Sequence, residues 1–145
     1  MGNKAVVLGS NYYIGLSIIR CLGSEDVYTV AVDYSKDETY GAKSKYVKEH
    51  LIGPHYRRES KEFLEFLIDY GKKQDFKPVL FPGADPYVEF MDNHFHELKE
   101  YYLFPMTEKG LWTDVMDKDK LHSLGIEHGV LVPETTRPSD KDFYY

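Results

Sequence analysis

The sequence has a single cysteine, Cys21, in 145 residues, so it can form no disulfide within the chain and is not a secreted disulfide scaffold. Long apolar runs are also missing, and none approaches the about 18 residues that a membrane-spanning helix needs. Basic residues are outnumbered, 18 against 24 acidic, for a net charge of -6. That balance argues against sequence-independent nucleic-acid binding, which needs a basic field. The first residues, Met1-Gly2-Asn3-Lys4, lead into only four apolar residues, Ala5 to Leu8, too few for a signal-peptide core. Val6 stands where a myristoylation start requires Ser or Thr. The expectation is a soluble, cytoplasmic chain with no membrane and no nucleic-acid partner.

Aromatic residues, by contrast, are plentiful at 15% of the chain, and apolar residues make up 42%. A disordered chain lacks this much apolar area to offset its ordering entropy. The length suits about one domain able to bury a core without metals or disulfides.

The pattern alternates strands with helices. Lys4–Leu8, Tyr28–Val32 and Val79–Phe81 are short apolar, β-rich runs, and Val47–Ile52 is a weaker fourth. Between them, Tyr12–Leu22 carries Ile14, Ile18, Ile19 and Leu22 at helical spacing, with Gly23 as the expected stop. From Arg58 to Lys73, Phe63, Phe66, Leu67 and Tyr70 fall on one helical face, opposite Glu62, Glu65, Asp69 and Lys72. After the turn Pro82-Gly83-Ala84-Asp85, one helix is expected, capped by Asp85 and carrying Tyr87, Val88, Met91, Phe95 and Leu98. A last helix covers Lys118 to His128, and Ser139-Asp140-Lys141-Asp142-Phe143 reads as the first turn of another, cut short two residues later. The expected class is α/β, a Rossmann-like three-layer domain around a mainly parallel sheet.

The first strand–helix turn, Gly9-Ser10-Asn11, can bring backbone N–H groups close to a ligand. Asp33 ends the second strand, 18 residues past Gly15, where a ribose-binding acid would stand. The dinucleotide fingerprint nevertheless fails, with Asn11 and Ile14 where it requires glycine. Asp33 and Asp85 both fall at carboxyl ends of expected strands, the edge where open α/β sheets bind ligands. Asp85 has a helix-capping reading beside the ligand one.

Two histidines, His94 and His96, form an H-x-H pair, but residues two apart on a helix do not share a face, so no metal site is assigned. Cys21, among apolar neighbours, reads as a small buried hydrophobe. The basic stretch of Lys43, Lys45, Lys48, Arg57, Arg58 and Lys61, with Tyr46 and Tyr56 interleaved, reads as a solvated face in preference to an anion site. No complete catalytic set emerges from the residues themselves.

Four segments in order resemble the amino-terminal part of the ATP-grasp carboxylate–amine ligases, a superfamily that includes carbamoyl-phosphate synthase large subunits, biotin carboxylases and D-aspartate ligases. They are VVLGSNYYIGLSIIR (6–20), AKSKYVKEHLIGP (42–54), VLFPGADPYVEFMDNHFHELKEYYLFP (79–105) and MDKDKLHSLGIEHGVLVPET (116–135). The G-S-N turn, the S-K-Y segment and the G-A-D-x-Y-V-E stretch are most similar to the D-aspartate ligase branch. The resemblance implies that residues 1–112 form the Rossmann-like domain preceding the ATP-grasp fold, and that residues 113–145 are a linker and its first elements. It implies an ADP-forming acyl-phosphate mechanism in a parent enzyme using ATP and Mg²⁺, with a carboxylate and an amine as substrates. Lys118 matches the lysine that contacts ATP phosphate, although in its DKDK run it also reads as a solvated residue. Gly9, Ser10, Asn11, Asp33 and Asp85 would line the substrate side. The family's second nucleotide lysine, Gly-rich loop and Mg²⁺-binding Glu/Asn pair match nothing here, so the expectation is a fragment with no catalytic residue, no cofactor requirement and no turnover of its own. A homodimer through a face that a following domain would cover is a further expectation. The alternative is a stand-alone Rossmann-like module that binds a nucleotide or small ligand without catalysis.

Overall fold

Four short segments pair into one parallel sheet in a computed structural model that describes residues 2–37 and 39–135. The strands are β1 (Ala5–Leu8), β2 (Thr29–Asp33), β3 (Val47–Ile52) and β4 (Val79–Pro82), in the order β3-β2-β1-β4. Every residue of β1 and β2 is buried, as expected for central parallel strands covered on both faces. On the edge strand β3, Lys48 and His50 are exposed, and such charged residues discourage pairing with another chain.

Side-chain alternation sends the two faces to different helices. Val7 and Ala31 meet Ile19 of α1 (Tyr13–Ser24) on one side. Val6, Leu8, Val30, Val32 and Leu80 face the other side, against α2 (Ser60–Lys72), α3 (Asp85–Asn93) and α4 (Phe95–Lys99). From these helices Phe63, Leu67, Phe90, Met91 and Leu98 complete the larger core, and Tyr102 closes it by donating to the Leu67 carbonyl at 2.6 Å. Helices on both faces of the sheet make the expected three-layer α/β arrangement.

By contact density the chain divides into Met1–Thr113 and Asp114–Tyr145. The first unit holds the whole sheet. A further helix, α5 (Leu111–Met116), which the sequence pattern did not announce, bridges the division in sequence. The second unit contains α6 (Lys118–Glu127), capped by Asp117, whose carboxylate accepts from the N–H groups of Asp119 and Lys120. The turn expected over 139–143 lies outside the described residues.

Several local expectations are corrected. Cys21 is exposed: Gly15, Ile19 and Gly23 are the buried line of α1 at intervals of four, which turns position 21 outward. Gly23 consequently lies within the helix and does not stop it. The single helix expected after Asp85 is broken at His94 (φ -108°, ψ 29°), which lets Phe90 and Met91 bury from one piece and Phe95 and Leu98 from the next. Asp85 is the first residue of α3 and not its cap. The extended residue Ala84 holds that place, its carbonyl accepting from Tyr87 N–H and Val88 N–H.

Candidate functional site

The carboxyl ends of β1 and β2 bring together Gly9, Ser10, Asn11 and Asp33. Gly9 adopts φ +77°, a conformation costly for other residues. It is also required sterically, because a Cβ here would stand 2.4 Å from Tyr87 Cε2. The turn is therefore roofed by the rings of Tyr87 and Tyr12, and the Gly9 backbone is not an open phosphate cradle.

The next residue turns inward. Ser10 is buried, and its hydroxyl donates to Asp33 Oδ2 at 2.6 Å. His50 Nε2 lies 3.0 Å from the same oxygen, reaching across from the neighbouring strand β3. Gly41, in a short 3₁₀ turn at Gly41–Lys43, lies so close over Ser10 that a Cβ would stand 2.0 Å from the Ser10 carbonyl oxygen. Asp33 Oδ1, however, is buried with no hydrogen-bond partner among the described residues, and so is Asn11 Oδ1. Two buried acceptors left unpaired cost about 1–3 kcal/mol each, which makes them the unsatisfied feature of this edge.

An aromatic rim completes the site. Tyr12 meets Tyr87 edge-on at 6.4 Å, and Tyr56 meets Tyr87 at 4.6 Å. Tyr34 and Tyr56 both contact the His55 ring, at 4.5 and 4.7 Å. Burial, followed by the nearby Asp33 charge, pushes the Tyr87 phenol far above its ordinary range, so it stays neutral and able to donate. Burial, with the Tyr56 hydroxyl, also raises Tyr12.

Asp85 is exposed at the end of β4, in the first turn of α3. Lys118 is exposed in the first turn of α6, in the second unit. A groove of about 420 Å³ along that helix is lined by Asp114, Asp119, Lys120, Ser123, Leu124 and Glu127, without Lys118. All six residues of the basic stretch are exposed, and of these Arg57 lines a cleft of about 180 Å³ with Ser60, Glu89, Asn93 and His94. His94 contacts Ser60 and Glu97, and among the described residues no three His, Cys, Asp or Glu side chains gather as a metal site.

Sequence reasoning missed His50 and the rim of Tyr12, Tyr34, His55 and Tyr87. His50 had a readable signal, since two adjacent parallel strands ending near Asp33 and Ile52 place it diagonally beside the acid. The rim had none, because its members come from four separate segments.

Neither a protein-family model nor a curated protein matches the sequence. Among solved structures, the chain is similar to the biotin carboxylase domain of a thermophilic 2-oxoglutarate carboxylase, a structure described as bound to ADP without magnesium. The TM-score is 0.59 at 16% identity, over 93% of this chain and 30% of that one. At this identity the likeness is one of fold, and the chain spans less than a third of the length of the protein it resembles.

Proposed function

We propose that the chain is the amino-terminal, substrate-side domain of an ATP-dependent carboxylate–amine ligase and performs no chemistry by itself. One observation carries this reading: nearly the whole chain superimposes on part of a much longer biotin carboxylase domain chain. In the proposed parent, ATP phosphorylates a carboxylate, the amine attacks the acyl phosphate, and ADP and phosphate leave. Phosphate is a far better leaving group than oxide, and enclosure of the acyl phosphate keeps water from it. Residues 1–112 would form the domain preceding the ATP-grasp fold and residues 113–145 its first elements, with Lys118 as a cation for ATP phosphate. Gly9, Ser10, Asn11, Asp33 and Asp85 would form one wall of the substrate site. The described residues hold no cluster suited to Mg²⁺, so none of them is assigned to it. Placement in the cytoplasm, and a homodimer of the isolated chain, belong to the same reading.

The test compares ADP release by the 145-residue chain with that of the full protein encoded by the same reading frame. We expect no release above background from the chain, and release by the full protein that depends on both a carboxylate and an amine. ADP release by the chain alone, or a frame that stops after Tyr145, overturns the reading and leaves a stand-alone binding module.

A further inference from the structure

We propose that a groove at the amino end of β4 binds a small apolar anion, an alkyl chain with one negatively charged head. The chain would lie on Leu103 and Phe104 and the head at Lys77 and Lys99. The groove holds about 430 Å³, a size suited to a small molecule, and Val79 and the buried Tyr102 complete its lining with Pro105. Leu103 is 47% exposed, yet its backbone is fixed, donating to the Pro78 carbonyl and accepting from Leu80 N–H at 2.8 Å each. Val79 begins β4, whereas Asp33 ends the parallel strand β2. The groove therefore lies at the opposite end of the sheet from the proposed substrate wall, and the inference is independent of the ligase reading.

Charge chooses the head of the ligand. The Lys77 ammonium donates to the Lys99 carbonyl at 3.0 Å. That of Lys99 donates to the Met106 carbonyl at 3.3 Å and lies 4.6 Å from the centre of the Phe95 ring. These partners are neutral, and among the described residues no ion pair joins either lysine to a carboxylate. Each ammonium has three donors, so each keeps some for a ligand. No acid lines the groove, so a cation is repelled and a negative head attracted. The side chains of Val79, Leu103, Phe104 and Pro105 carry no hydrogen-bonding group, so the rest of the ligand is apolar. A strand of another protein fits poorly, because Pro105 lacks the N–H that edge pairing uses and Tyr102 N–H already donates to the Leu98 carbonyl at 2.9 Å.

The experiment titrates the ¹⁵N-labelled chain with octyl sulfate below its micelle concentration, and with octanol and ethyl sulfate as the chain and the head alone. Octyl sulfate is expected to give saturating shifts at the Val79, Leu103 and Phe104 amides and none at Ser10, Asn11 or Asp33. Octanol should bind about tenfold more weakly, and ethyl sulfate more weakly still. Lys77→Gln and Lys99→Gln should each weaken octyl sulfate about three- to fivefold, the size of an exposed ion pair. Both side chains are exposed, so these variants keep the fold. Leu103→Asp, also at an exposed position, should abolish binding by setting a like charge in the groove. Octanol binding as tightly as octyl sulfate, or lysine variants without effect, overturns the charged head and with it the proposal. Ethyl sulfate binding as tightly overturns the apolar groove. Shifts centred on Ser10 and Asn11, shifts spread over the whole sheet, or no shift at all overturn the site.

Discussion

Ser10 Oγ donates to Asp33 Oδ2 across 2.6 Å, so the turn after β1 and the last residue of β2 share one buried carboxylate. Removing the hydroxyl leaves that oxygen, among the described residues, to His50 alone. Ser10→Ala is expected to cost about 1.5–3 kcal/mol, the range for a hydrogen bond to a charged group. Urea denaturation of both proteins measures it, and a cost near zero would mean that the bond does not hold the two strand ends together.

Gly9 carries two independent demands, a positive φ and the ring of Tyr87 against its open face. Gly9→Ala should therefore destabilise by about 2–5 kcal/mol, combining backbone strain with overpacking. Gly110 also has a positive φ but nothing within 4 Å, so Gly110→Ala should cost only about 1–2 kcal/mol. Equal costs in thermal or urea melts would show that Tyr87 does not press on the turn.

Asp92 is buried and accepts from Gly110 N–H at 2.6 Å and Thr113 N–H at 3.0 Å, as well as from the Thr113 hydroxyl. Burial raises its pKa, but these bonds and the charge of Lys109 outweigh burial and hold it below the ordinary carboxylate range. A depressed pKa stabilises the fold above the unfolded value near about 4, and that contribution is lost as pH falls through the folded value. The stability gap between the wild type and Asp92→Asn should thus be wide at neutral pH and shrink in acid. Urea melts at both ends of this range check it, and a gap independent of pH would contradict the lowered pKa.

The phenols of Tyr70, Tyr87 and Tyr102 are all pushed far above their ordinary range, in each case mainly by burial. Here the sign reverses. The stabilisation is complete below the unfolded pKa of about 10 and is lost as pH rises beyond it. Spectrophotometric titration should find these three phenols ionising only as the chain unfolds. A single transition for all 13 tyrosines in the folded protein would refute this.

The sequence alone determined the parallel α/β class, because the β-rich runs and the helical spacing of Phe63 and Leu67 record burial directly, each residue's period stating which face it turns inward. It also placed Ser10, Asn11 and Asp33 at strand ends, since a strand followed by a polar turn is a local signal. The break at His94 was not legible, because Phe90, Met91, Phe95 and Leu98 fit one continuous helical stripe as well as two pieces. Nor could Cys21 be judged by its apolar neighbours, since exposure depends on where the buried line of α1 falls. Only the tertiary structure brought His50 to Asp33, laid Tyr87 over Gly9 and left two buried oxygens without partners among the described residues. Those relationships join residues far apart in the chain, and hydrogen-bond satisfaction at such a junction is decided by packing distances that no local pattern contains.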